Sequence, residues 1–229
     1  HYVTSTGDAP PLADANANTI PDYVETVDAT LEHVWTEEVD TMGYRAPKPD
    51  SNSPHHGPDG TLDVYIANIG NKGLYGYCTT DDPHATKPSY KFWDMSAYCV
   101  LDDDYSPAQF PPPFANGLDA LDVTAAHEFF HAVQFAYDYS EDSWFMEGTA
   151  AWMEDQIYDD VNDNRQYLSR SALSNPSVPV DRGTGFYQYG AWIYWRYLTE
   201  SFDPDLVRET WAYADGSAVG IDQYSLKAL

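Results

Sequence analysis

The sequence predicts an α+β protein, and three observations carry that expectation. Alternating and aromatic runs of strand length fall in the first half: "TLDVYIANI" (61–69), "GLYGYC" (73–78) and "WDMSAYCVL" (93–101). Helical periods fill almost all of the second half. The chain is 229 residues long and 43% hydrophobic, enough for one substantial core. We therefore expect one domain. Residues 1–117 should form a mixed β/α lobe with a mainly antiparallel or mixed sheet, and residues 118–229 a mostly helical lobe, with a cleft between them.

In order, residues 1–20 are polar and read as a short strand followed by a loop. Residues 21–42, "PDYVETVDATLEHVWTEEVDTM", place apolar side chains at 24, 27, 31, 34, 35 and 39, a helical period. Pro21 suits the start of that helix and Gly43 its stop. "APKPDSNSPHHGPDG" (46–60) is a turn-rich loop, and three strands follow it. "SPAQFPPPFANG" (106–117) separates the halves. Helices are expected over 118–138, 144–158, 164–173, 189–201 and 205–214, the first capped by Asn116 or Asp119. The chain opens at His1 without a signal peptide, and "IDQYSLKAL" reads as a helix cut short, so a processed piece of a longer chain is expected.

Charge and cysteines narrow the function. There are 37 acidic residues against 11 basic ones, a net charge of −26. Such a chain repels nucleic acid and anionic membrane, and no apolar run is long enough to span a bilayer. The excess of aspartate suits bound calcium or a salty medium. Cys78 and Cys99 flank neighbouring strand-like runs, so a disulfide and a secreted protein are expected.

"AAHEFFHAVQF" (125–135) carries the chemistry. At about 100° per residue, Glu128 stands about 100° and His131 about 40° round the helix from His127, so all three share one arc. Ala126, Phe129, Phe130 and Val133 fall opposite, as a packing face. Two imidazoles one turn apart suit zinc (Zn2+), and a catalytic zinc site takes three protein ligands. Glu128 is placed as general base rather than ligand. A chance H-E-x-x-H match in a chain of this length is an event on the order of one in a hundred. In "WFMEGTAAWMED" (144–155), Glu147 is the favoured third ligand, over Asp138, Glu141, Asp142 and Asp155. Ala151 and Glu154 share its face. Small Ala151 would let the two helices approach, and Glu154 is a candidate to hold a ligand imidazole by its other nitrogen.

H-E-x-x-H followed by "EGTA" on a second helix resembles the gluzincins, zinc peptidases whose third ligand is glutamate. More narrowly, "HEFFHAVQFAYD", "WFMEGTAAWMED" and "YGAWIYWRYL", with the earlier "IPDYVE" and "LDVYIA", resemble a group of secreted bacterial metalloproteases over residues 14–214. The resemblance implies a zincin-like fold and the triad His127, His131 and Glu147 with Glu128 as base. The metzincin pattern is absent, because Gln134 and Tyr137 stand where it needs Gly and His. "GTGFYQYG" (183–190) resembles the zinc-binding stretch of the aspzincins, but Phe186 replaces its aspartate. The tyrosine of that stretch is Tyr189, a candidate donor to an oxyanion, with Tyr187 as alternative.

A separate stretch, "DANANTIPDYVE" (14–25), spaces Asp14, Asn16, Asn18, Asp22 and Glu25, with the Ile20 carbonyl, like half an EF-hand for calcium (Ca2+). Thr19 replaces the turn glycine and no entering helix precedes it. Asp59 with Asp63, and Asp102 to Asp104, are weaker candidates, more often solvated turns. His33, His55, His56 and His84 have no ligand spacing.

The function expected is that of a secreted, monomeric zinc endopeptidase acting on protein or peptide substrates. A peptide could lie along the strand at 93–101 as an added strand. A calcium-stabilised adhesion module with a non-catalytic zinc site, and a zinc hydrolase of a non-peptide bond, are the other readings.

Overall fold

A computed structural model describes residues 1–87, 89–91, 93–216 and 224–229. The fold is α+β. Helix α1 (Asp22–Trp35) opens after Pro21 and buries Val27 and Val34. It continues into a π-helical turn, Thr36–Thr41, and Gly43 ends it with a positive φ of 74°. Strands β1 (Asp63–Ala67), β2 (Gly76–Thr79) and β3 (Tyr98–Asp102) form one mixed sheet in the order β1–β3–β2. β1 runs parallel to β3, and β2 antiparallel to it.

Cys78 and Cys99 stand directly opposite in the β2–β3 register and are disulfide-bonded, with Cα atoms 4.1 Å apart. β3 is the central strand, so it cannot be the cleft edge assigned to it from chain order. That position belongs to β2. Residues 1–20 form no strand: His1 alone joins the sheet, accepting the Ile66 N–H at 2.9 Å and donating its amino group to the Val64 carbonyl at 2.7 Å.

The second half is helical, as its period requires. α2 (Gly117–Phe135) and α3 (Ser143–Ile157) pack along each other. A 3-10 run follows at Asp163–Arg170, where an α-helix was expected. Its sequence, "DNRQYLSR", has few apolar anchors, and only Asn164 is buried. Then come α4 (Tyr187–Gly190), α5 (Trp192–Ser201) and α6 (Leu206–Ala214), and α7 (Ser225–Ala228) near the end. The preceding residues of "IDQYSLKAL", 221–223, lie outside those described. Asn116 takes the N-cap position of α2, with Asp119 in the first turn, but the Asn116 side chain makes no capping bond and turns to the Phe114 carbonyl.

The main core gathers α1, α2, α3, α5 and α6 around aromatic side chains. Phe145 stacks on Trp211 at 4.1 Å, and Trp144 on Trp195 at 5.4 Å. Burying Phe130 or Phe145 fully contributes about 1.5–3 kcal/mol each. Ion pairs fasten its margin: Arg45 reaches Asp215 and the Ala136 carbonyl, and Arg196 reaches Asp155 at 2.6 Å. α2 is enclosed on all sides from Val123 to Phe135, so its packing face and polar face are both interior there.

Glu38, on the π turn, continues the buried face of Val27 and Val34. It is fully enclosed, and neither carboxyl oxygen finds a hydrogen-bond partner. Burial raises its pKa well above the ordinary 4.5, against the smaller pull of His127. Above that ordinary value the unfolded chain releases a proton the fold retains, so stability falls as pH rises towards the folded pKa. Glu38→Gln keeps the neutral shape without the titration. Its Tm should exceed that of the wild type by more at pH 8 than at pH 5, and equal increments at both would overturn this account.

Candidate metal centre

The middle of α2 brings His127, Glu128 and His131 to one side, each less than a tenth exposed. The second turn of α3 sets Glu147 across from them. Glu147 Oε2 lies 3.2 Å from His127 Nε2 and 3.4 Å from His131 Nε2. In a tetrahedral zinc site with bonds of about 2.0–2.1 Å, ligand atoms stand about 3.3–3.4 Å apart, so the donor set fits the ion. The other acids offered as third ligand are engaged elsewhere. Asp138 accepts the Ser140 N–H, Glu141 accepts those of Asp142 and Ser225, and Asp155 pairs with Arg196. Asp142 is exposed.

The remaining nitrogen of each imidazole is held. His127 Nδ1 bonds Glu154 Oε1 at 2.7 Å, the role proposed for Glu154 on spacing. His131 Nδ1 bonds Gln134 Oε1 at 2.6 Å. Gln134 donates its amide to the Met146 carbonyl and to Thr149 Oγ1, so its oxygen is the acceptor and His131 Nδ1 the donor. That leaves the Nε2 lone pair of His131 facing Glu147. Thr149 also accepts the Trp211 indole N–H, which joins the centre to the aromatic core. Gln134 was read only as a missing glycine. Its position three residues after His131, one turn along the helix, was the available signal.

Electrostatics follow from burial and pairing. Burial alone would lower the His127 pKa, but hydrogen bonds to Glu147 and Glu154 outweigh it and raise it. Burial would raise Glu147, and the two imidazoles instead hold its carboxyl well below the usual range. For Glu128 burial prevails over both histidines, and its pKa is raised. Its Oε2 is enclosed without a hydrogen-bond partner.

Neighbouring elements shape the space in front of Glu128. A Cβ on Gly76 would come within 2.7 Å of Glu128 Cγ, so only glycine lets β2 cross here. The disulfide sulfurs of Cys78 and Cys99 lie 2.8 and 3.6 Å from the Glu128 backbone oxygen. Neither sulfur keeps a hydrogen, so these are packing contacts rather than hydrogen bonds. A Cβ on Gly148 would meet Ala191 Cβ at 2.9 Å, and its absence lets α3 approach the start of α5. Tyr189 thereby stacks on His127 at 6.0 Å and on Tyr167 at 4.9 Å. Burial and then the charges of Glu147 and Glu128 raise its pKa, so it stays a proton donor. Tyr187 instead packs under the Arg182 guanidinium. A cleft lined by Tyr75, Phe110, Phe114, Tyr167 and Phe186 opens onto His127, Glu128 and Tyr189.

The 14–25 loop folds on itself. Glu25 accepts the side-chain amides of Asn16 and Asn18, Asp14 the N–H groups of Asn18 and Thr19, and Asp22 that of Ala15. The Ile20 N–H bonds Asn18 Oδ1. A cation there would require both amides to turn their oxygens inward. Asp59 caps its own turn at Thr61, while Asp63 pairs with His1.

No family model, curated protein or solved structure matches this chain.

Zinc content tests the centre. His131→Ala and Glu147→Ala should each lose the bound equivalent, while Asp142→Asn keeps it. Gln134→Ala should retain one zinc with about 10- to 100-fold weaker affinity in competition with a chelator. Wild-type affinity in Gln134→Ala would remove its supporting role.

Proposed function

We propose that this chain is a secreted zinc-dependent endopeptidase. One observation carries the reading: Glu128, with one oxygen unpartnered, lines an aromatic cleft next to three convergent metal-ligand atoms. His127, His131 and Glu147 would hold the ion, with Glu154 and Gln134 orienting the imidazoles. Zinc bound there supplies a Lewis acid that polarises a carbonyl and acidifies water.

The residues of the chain do the rest. Glu128, its proton affinity raised by burial, takes a proton from the attacking water and passes it to the leaving amine. Tyr189 donates a hydrogen bond to the oxyanion that develops at the carbonyl. The edge of β2 offers backbone groups to an extended peptide, which favours a peptide over other substrates. The aromatic walls suit apolar side chains. The disulfide fits an oxidising compartment, and no helix among the described residues is long and apolar enough to cross a membrane. Calcium at the 14–25 loop would be structural, fastening the start of α1.

Hydrolysis of casein and of quenched peptides, with zinc measured in parallel, tests this. Glu128→Gln should keep its zinc and lose at least about 100-fold in kcat. Tyr189→Phe should lose about 100-fold in kcat with KM little changed. Equal turnover by Glu128→Gln and wild type would sink the mechanism, and zinc binding without any peptide hydrolysis would favour a non-catalytic or non-peptide role.

A further inference from the structure

The chain after β3 carries a second acidic group, which on sequence looked like a solvated turn. Asp102, Asp103 and Asp104 each bring one carboxylate oxygen within 4.8 Å of the others. They are not a solvated turn, for Asp102 is 0% and Asp103 6% exposed. Asp102 is fully engaged: Oδ1 accepts the N–H of Ile69 at 3.0 Å and of Gly70 at 2.5 Å, and Oδ2 those of Tyr105 and Asp104. Asp104 Oδ1 accepts the Ser106 N–H. Asp103 differs. Its Oδ1 is enclosed and meets no donor at all.

The surroundings offer nothing positive. Asp8 adds a further negative charge near Asp103. Among the described residues, no lysine, arginine or histidine pairs with any of the three. A buried carboxylate needs a partner, and adjacent like charges make the need greater. The donors are all oxygen, with no imidazole or thiolate, which is the chemistry of calcium rather than zinc.

We propose that Asp103 and Asp104 form a binding site for a calcium-class divalent cation beside the fully engaged Asp102, whose charge adds to the attraction, with the orphaned Asp103 oxygen as the ligand that no protein group satisfies. Water supplies the remaining ligands. Asp104, the more open of the three, faces the approach. The bound cation fastens the end of β3 and, through the Asp102 carbonyl that accepts the Tyr23 hydroxyl at 2.9 Å, ties α1 to it. The chain leaving the site carries Gln109, Phe110 and Phe114 along the cleft, so the cation anchors that wall. The proposal stands whether or not the zinc centre is catalytic.

Terbium binding reads the site directly, because Tyr23 and Tyr105 lie against it and sensitise the lanthanide. Protein stripped with EDTA and reloaded with one equivalent of zinc is titrated with Tb3+, then with competing Ca2+. We expect saturable luminescence that Ca2+ reverses. Asp103→Asn should lose one equivalent of Tb3+, and Asp14→Asn should leave that equivalent in place. In EDTA, Asp103→Asn should melt above the wild type, since a repelling charge is gone, and millimolar Ca2+ should raise the Tm of the wild type more than that of the variant. If Asp103→Asn does not fold, Asp104→Asn should weaken the same equivalent at least 10-fold. No saturable signal, an unchanged equivalent count in the aspartate 103 or 104 variant, or an equal calcium response in wild type and Asp103→Asn would overturn the proposal.

Discussion

The second half of this protein is arranged around a helix whose last thirteen residues, Val123 to Phe135, have no exposed side. That stretch carries two imidazoles and a carboxylate, yet all of it is enclosed. An unmet polar group in such a place costs about 1–3 kcal/mol, more if charged. Partners for these groups must therefore come from neighbouring elements, and α3 provides most of them. Glu147 and Glu154 are seven residues apart, two turns on one face, so one helix flanks His127 on both ring nitrogens. Thr149, on another side of α3, receives the Gln134 amide that fixes His131. Glu128 keeps one oxygen unmet, as does Glu154, and both line the cleft with His127.

Close approach is the second constraint. Gly76 lets the β2 edge pass over Glu128, and Gly148 lets α3 reach the segment that carries Tyr189. The disulfide holds β2 to β3 directly against the backbone of the same glutamate. Sheet, bridge and helix thus meet at one residue. Small residues set these distances, and aromatic side chains fill what lies beyond them.

Negative charge is handled in contrasting ways. Where aspartates meet arginines, at Asp215 and Asp155, they clamp the helical half. Glu38 is enclosed without a hydrogen-bond partner, and burial favours its neutral form. At Glu147 and at the Asp102–Asp104 group, carboxylates converge in groups that could hold a cation: a mixed nitrogen and oxygen set in the first, oxygen alone in the second.

Much of this was legible in the chain. Period and alternation placed α1, α2, α3 and the three strands within a few residues, because apolar spacing is a local property. The His127–Glu128–His131 arc follows from helical geometry, and Cys78 and Cys99 were expected to pair. Other features depended on packing. The 3-10 run at 163–170 and the absence of a strand over 1–20 reflect which segments find a surface to bury against. Central β3 and edge β2 are decided by pairing across the sheet, which chain order does not encode. The buried state of Asp102 and Asp103, and the hold of Gln134 on His131, arise where distant segments meet. The sequence by itself determined which residues carry the chemistry, since their types and spacing are local. Only the tertiary structure decided which of them share a site, because distance between helices is set by side chains packing far from the motif.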